Sequence, residues 1–392
     1  MDSCREGGFD KLMKVLIIGG SGLISTGIVK ALQTRDADIT VFNRGETDDR
    51  LGPAVKHLRG DRNEFTTFEQ SMAASGFWDV VIDMICFNVE QAESDVRAFA
   101  GRCGHFLFCS TVCTYGNTQT IIPTLETVPQ NPHSQYGRDK VGAEKVFLQA
   151  HSEGKFPVTI FRPSHTYGVG GNVINSLGWE PTFVDRLRRG LPIIVAGDGN
   201  GLWASTNSED VGTGFAYAAG REACFGESYN IVGSDVVTWN EYTERTATAI
   251  GAPKPNLMHI PTDLLLSLDR PQLEALAEIF QFHGVYNNAK LKRDVPEFTC
   301  PTSYEEGIRR TVAWMDKHNT IASAETDPFD DQLIQKWQNL SQSLRSGIWP
   351  LLLVFLLCCV LHIQTQITTD RIWGQLNDKL ECLPLRTARV LF

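Results

Sequence analysis

The chain has 392 residues, 42% of them hydrophobic and 21% charged, with 34 Gly and 17 Pro. That is ordinary globular composition and excludes collagen-like, disordered and small disulfide-stapled classes. Thirty-six Lys plus Arg against 46 Asp plus Glu leave a formal charge of −10. Without a Lys/Arg run the chain lacks the clustered cations that nucleic-acid binding needs, so a small-molecule partner is expected. The ten cysteines form no CxxC pair and no Cys/His cluster, which predicts no metal site. The stretch 1–14 carries acid and base but no apolar signal core, so reduced thiols in a cytoplasmic protein are the expectation.

Lys14-Val-Leu-Ile-Ile-Gly19 is a short continuous apolar run, as a parallel strand buried on both faces requires. Leu23 to Leu32 reads as a helix, and Asp38 to Asn43, Asp79 to Ile85, His105 to Cys109 and Val158 to Arg162 read as further strands. Helical patterns cover Val89 to Ala100 and Lys140 to Ala150. Alternating strands and helices predict an α/β fold: a Rossmann-type doubly wound parallel sheet over 12–167, with a smaller C-terminal substrate-binding lobe over 168–319. The polar stretch 320–346 reads as a linker, and 364–392 as a C-terminal tail. Between them, 347–363 is almost wholly apolar. At 1.5 Å rise its length reaches about 25 Å, short of a hydrocarbon core of roughly 30 Å, so a membrane anchor and a buried or dimer-forming helix both stay open.

Gly19-Gly-Ser-Gly22-Leu-Ile-Ser25 follows the first strand and opens a helix. Gly19 permits the tight turn, Gly22 lets backbone amides approach a pyrophosphate, and Ser25 holds the third small position. The second strand ends on Asn43-Arg44 where a ribose-binding carboxylate would stand. A carboxylate repels a 2′-phosphate and a guanidinium attracts it, so the cofactor is read as NAD or NADP. Asp61, in Gly60-Asp61-Arg62, is placed to accept from the adenine amino group. Tyr136 and Lys140 stand at i and i+4 on one helix face. An ammonium beside a phenol lowers its pKa from about 10, so that Tyr136 can exchange a proton with a substrate hydroxyl.

With these motifs in order, followed by Arg162-Pro163, Gly197-Asp-Gly199, Asp210-Val211, Glu306-Gly307 and Trp314, the sequence from about Lys14 to His318 resembles the extended short-chain dehydrogenase/reductase family, in its NAD-dependent epimerase/dehydratase branch. The resemblance implies that Thr111, four residues before Tyr115-Gly116, hydrogen-bonds the reacting oxygen, with Ser110 a neighbouring substrate contact. It implies that Tyr136 is the acid/base, that Lys140 tunes it and holds the nicotinamide ribose, and that a homodimer forms near Lys140. Dehydratases of this branch carry Asp-Glu after the Thr. Val112-Cys113 stands there instead, which disfavours dehydration.

His165, after Arg162-Pro163-Ser164, is a candidate substrate contact. The family's diphosphate-binding Arg aligns with Trp203, whose indole can stack on a sugar ring but cannot neutralise a diphosphate. Arg186, Arg188 and Arg189 are candidates to supply that charge from a neighbouring helix. The expected function is an NAD(P)-dependent epimerase acting on a carbohydrate-like secondary alcohol by transient oxidation to a ketone. A net dehydrogenase or reductase of such a substrate is the alternative, and a non-catalytic RNA-binding protein on the same fold is the alternative of another class. A cytoplasmic enzyme with possible membrane contact through 347–363 completes the expectation.

Overall fold

Val15 to Ile18 are fully buried, because their strand has neighbours on both edges and helices on both faces. It is the centre of the molecule, a computed structural model that describes residues 12–46, 50–116, 121–268 and 270–346. The elements that follow are β1 (Lys14–Ile18), α1 (Leu23–Gln33), β2 (Asp38–Asn43), β3 (Lys56–Arg59), α2 (Phe65–Ala74), β4 (Val80–Asp83), α3 (Val89–Phe99), β5 (Phe106–Cys109), α4 (Gln135–Ser152) and β6 (Val158–Pro163). With a later strand, Glu227–Ile231, they make a seven-stranded sheet whose order runs from that strand through β6, β5, β4, β1 and β2 to β3. Every pairing is parallel. The strand order reverses between β1 and β4, and the crevice outside the carboxyl ends there is where such sheets bind ligands.

One side chain set of β1 (Val15, Ile17) packs with α1 and the helix Ser208–Ala218, and the other (Leu16, Ile18) packs with α2, α3 and α4. The Rossmann half therefore draws on residues beyond the expected boundary at 167/168: the chain returns at Ser208–Ala218 and Glu227–Ile231 to finish sheet and cover. The described residues up to Pro328 form one compact unit. Within it, 168–319 otherwise builds short two-stranded pieces, Ile193–Ala196 with Leu257–Ile260 and Leu202–Ala204 with Val236–Thr238.

Two expectations are corrected here. The helix expected from Lys140 begins at Gln135, because the Ser134 hydroxyl caps it by accepting from the Gly137 amide at 2.9 Å. The stretch 320–346 is not an extended linker, since 329–346 is helical. Its composition is polar, but Leu333, Trp337, Leu340 and Leu344 recur at helical spacing. The apolar segment 347–363 and the tail 364–392 lie outside the described residues. Among the described residues, no helix is long and apolar enough to cross a membrane.

Candidate active site

The carboxyl ends of β1, β2 and β4 border a cleft of about 430 Å³ lined by Gly19, Gly22, Asn43, Arg44, Arg50 and Asp61 among others. Gly19 holds φ +81°, and a Cβ there would fall 2.5 Å from Ile85, so only glycine makes this turn. Gly22 caps α1 in extended conformation with no side-chain cap. The first amides of the helix are therefore left for an anion. Ser25 does not line the cleft; its hydroxyl donates to the Gly19 carbonyl at 2.7 Å and braces the turn from behind.

Asn43 Oδ1 accepts from the Gly45 amide at 3.1 Å and from the Arg59 guanidinium. Arg44 pairs with Glu46 at 3.0 Å, both well exposed, a pair worth little and readily exchanged. Asp61 lines the cleft while its carboxylate accepts from the Asn63 amide at 2.8 Å. Arg50 reaches back from the β2–β3 connection to donate through Nη2 to the Ser21 carbonyl at 2.8 Å. Its Nη1 is buried without a hydrogen-bond partner among the described residues, and it lies so close to Gly170 that a Cβ there would fall 1.8 Å away. A glycine cradle, uncapped amides and an unpartnered guanidinium nitrogen fit a dinucleotide's phosphates.

At the carboxyl ends of β4 and β5 the structure brings Thr111, Tyr136 and Lys140 together. Lys140 is 2% exposed, and its ammonium donates to the carbonyls of Cys86 and Cys109, each at 2.8 Å. It lies 4.9 Å from the rings of Phe87 and Phe108 and 5.8 Å from that of Tyr136. Burial lowers its pKa, with neighbouring thiols and carboxylates opposing.

Thr111 caps the short 3-10 turn Val112–Tyr115, accepting from the Cys113 amide at 3.2 Å, and its hydroxyl lies close to the Tyr136 phenol. The phenol departs from the expectation of a lowered pKa. Burial pushes it above its ordinary value of 10, the Cys113 and Cys109 thiols and the Glu278 carboxylate add to this, and the Thr111 hydroxyl opposes. The Lys140 ammonium, 5.8 Å from the ring, is held by two carbonyls.

Ser110 is turned away from this site. Its hydroxyl donates to Glu144, which takes a bidentate pair from Arg162 at 3.0 and 2.6 Å. Arg162 donates on to the Tyr115 hydroxyl at 2.9 Å, and that hydroxyl donates to Asn230 at 2.7 Å. This buried chain ties β5, α4, β6 and Glu227–Ile231 together beneath the site, so Ser110 is a structural group in place of the expected substrate contact.

The substrate-side candidates are also redistributed. Trp203 is 1% exposed, stacked on Trp239 at 5.1 Å and edge-on to Phe280 at 4.7 Å, and its indole donates to Ser205 at 3.2 Å. It packs behind Gly284 as a wall and offers no free face to a sugar. His165 bonds the same Ser205 hydroxyl at 2.8 Å, and burial pulls its pKa down to about 3, so it is neutral at physiological pH. Arg186 is buried on the Pro192 carbonyl, Arg188 pairs with Asp316 at 2.7 Å, and Arg189 pairs with Asp185 and Glu325. Arg186 is committed to the fold, while the Arg188 and Arg189 pairs are exposed and exchangeable.

Beside Thr111, a pocket of about 20 Å³ is lined by Cys113, His133, Glu278 and His283 among others. Burial pushes the Cys113 thiol up to about 11, making it an inert packing group, not an acid. Sequence reasoning missed Arg50, Arg59, Phe87 and Glu278. The Rossmann signal pointed to the strand ends but not to the connection that carries Arg50, and nothing in the pattern around Glu278 marks it.

This geometry is that of a Rossmann-type enzyme using a nicotinamide dinucleotide, NAD or NADP. The chain belongs to the NAD dependent epimerase/dehydratase family, which it matches over residues 15–232. It is similar to the 2′-dehydrokanamycin reductase of Streptomyces kanamyceticus, 26% identical over 318 residues that cover 80% of this chain and 87% of that protein. It is also similar to the chloroplast stem-loop binding protein of 41 kDa b of Arabidopsis thaliana, 28% identical over 259 residues, 63% of this chain and 65% of that protein. Among solved structures, an epimerase from Methanothermobacter thermautotrophicus superposes with a TM-score of 0.64 at 17% identity, over 83% of this chain and 95% of that one. Other curated relatives are a dTDP-glucose 4,6-dehydratase and a UDP-glucose 4-epimerase, and this chain is an NAD(P)-dependent enzyme of that family.

Proposed function

We propose that the chain is an NADP-dependent reductase of a ketone on a sugar-like, non-nucleotide substrate. The convergence of Thr111, Tyr136 and Lys140 beside the dinucleotide cleft carries this reading. The bound cofactor supplies a hydride. Tyr136 donates its phenolic proton to the carbonyl oxygen, Thr111 hydrogen-bonds that oxygen, and Lys140 fixes the ends of β4 and β5 around both. A phenol, protonated at neutral pH, suits the reductive direction, in which it acts as an acid.

Net reduction is preferred to epimerisation for a mechanical reason. An epimerase must hold its substrate while the ketone turns its other face to the cofactor, and a diphosphate grip would provide that tether. Here Trp203 stands at the family's diphosphate-binding position, buried in an aromatic cluster, and Arg186 is turned onto the Pro192 carbonyl. NADP is favoured over NAD by Asn43 in place of a carboxylate and by Arg44, Arg50 and Arg59 around it. The similarity to an RNA-binding chloroplast protein gives the other class some weight, and the retained Tyr136–Lys140 pair weighs against it.

The test is turnover of 2′-dehydrokanamycin by the purified full chain with NADPH or NADH. Stoichiometric oxidation of NADPH, at least tenfold more efficient than of NADH, is expected. Sugar interconversion without net consumption of coenzyme would restore the epimerase reading.

A further inference from the structure

Leu276–Phe280 winds as a π-helical turn, a rare geometry that recurs at functional sites, and Glu278 stands in its middle. Glu278 Oε1 is buried and has no hydrogen-bond partner among the described residues. Among the described residues the pocket it lines holds the imidazoles of His133 and His283 but no arginine or lysine. Glu278 lines that pocket together with Cys113, whose amide donates to Thr111 and whose carbonyl packs against Gly137, next to Tyr136. A carboxylate oxygen buried without a partner is costly, and the strongest remedy is a cationic N–H donor. A phosphate at the same place would be repelled. The pocket's 20 Å³ admits a group the size of a water, which an ammonium head is and a sugar ring is not.

We infer that Glu278 anchors a protonated amine of the substrate, so that the site takes amino sugars in preference to neutral or diphosphate-linked ones. This rests on the reductase reading for the reaction but not for the binding. The amine enters the pocket beside Cys113, which leaves the ring carrying the ketone on the Tyr136 side.

The test uses the full chain, kanamycin and its fully N-acetylated form as binding probes, and the corresponding 2′-ketones with NADPH as substrates. Wild type is expected to bind kanamycin at least tenfold more tightly than the acetylated form by calorimetry. Glu278→Gln, isosteric and uncharged, is expected to abolish that preference and to raise KM for the amine ketone at least tenfold with kcat changed less than threefold. Its Tm and NADPH affinity should stay as in wild type, and Glu278→Asp should restore part of the preference. Equal binding of the two probes by wild type, or a preference that survives Glu278→Gln, overturns the inference. Glu278-dependent binding of kanamycin without NADPH oxidation sustains the anchor and sinks the reductase. Equal oxidation of NADPH with amine and acetylated ketones sinks the anchor and sustains the reductase.

Discussion

The cleft over β1, β2 and β4 holds about 430 Å³ and is bordered by a glycine turn and arginines, whereas the pocket beside Cys113 holds about 20 Å³ and is bordered by a thiol, imidazoles and a carboxylate. The first is built mainly from backbone at regular strand ends, so its ligand is fixed by the fold. The second is built from side chains on a 3-10 turn, a π-turn and the loop around Gly284, none of which the sheet dictates. The contrast teaches that in this chain the dinucleotide end is positioned by the sheet itself, and the other end by turns and loops added to it.

Tyr136 sits where the two ends meet, and removing its hydroxyl is the most severe way to test whether they meet there. Tyr136→Phe should lower kcat by about 10³-fold while NADPH affinity, read by fluorescence titration, shifts less than threefold. Retained turnover would mean that the proton comes from elsewhere and that the two regions are not joined by the phenol.

The next largest effect lies beneath both. Glu144 receives Arg162 in a bidentate pair buried on both sides. Glu144→Leu leaves the guanidinium without its counter-charge and should cost about 3–5 kcal/mol in urea unfolding, whereas Glu144→Leu with Arg162→Met should recover most of it. A single variant as stable as wild type would show that the pair is not what couples α4 to the sheet.

How much of this could be read beforehand divides along the same line. Strand ends, the glycine turn and the Tyr136–Lys140 pair were legible because they depend on local spacing: period, a tight turn, i and i+4. Lys56–Arg59 was not, since an edge strand of four half-polar residues carries no apolar run. Ser110 and Trp203 were misassigned because a position in a motif says what a residue aligns with, not which way it turns. Ser110 is claimed by Glu144, 34 residues away, and Trp203 by an aromatic cluster with Trp239 and Phe280. The 329–346 helix was hidden by polar composition, although its four apolar positions keep helical spacing. Glu278 had no local signature at all, because its environment is made by segments distant in sequence.

Acid should separate the sheet and the small lobe from their solvated surroundings. The Gly220 amide donates to His105 Nδ1 at 3.1 Å, so Nε2 carries the proton to Thr159 at 2.8 Å and the ring is neutral. Burial pulls the pKa of His105 in the sheet, like that of His165 in the lobe, down to about 3. Below about pH 6.5 the unfolded chain binds these protons and the native state does not, so stability falls with pH from there towards 3. Between pH 7 and 5.5 the two together should remove about 2.5 kcal/mol. His165→Asn should halve the slope of unfolding free energy against pH in that window, and an unchanged slope would place the proton uptake on other groups.

The smallest expected effect is the one that most sharpens the difference between the two ends. Arg50 comes from outside the regular strands and yet serves the backbone-built cleft, with Nη2 on Ser21 and Nη1 unpartnered beside Gly170. One charge-assisted hydrogen bond to a phosphate is worth about 1.5–3 kcal/mol, so Arg50→Ala should weaken NADPH binding by about 10- to 100-fold with kcat unchanged at saturation. AMP, ADP and 2′,5′-ADP as calorimetric probes show which phosphate is held. A loss larger for ADP than for AMP assigns Arg50 to the pyrophosphate, next to the α1 amides. A loss confined to 2′,5′-ADP assigns it to the ribose phosphate with Arg44 and makes it a determinant of coenzyme choice. Equal affinity of wild type and variant for all three would return the cleft to backbone and strand ends alone.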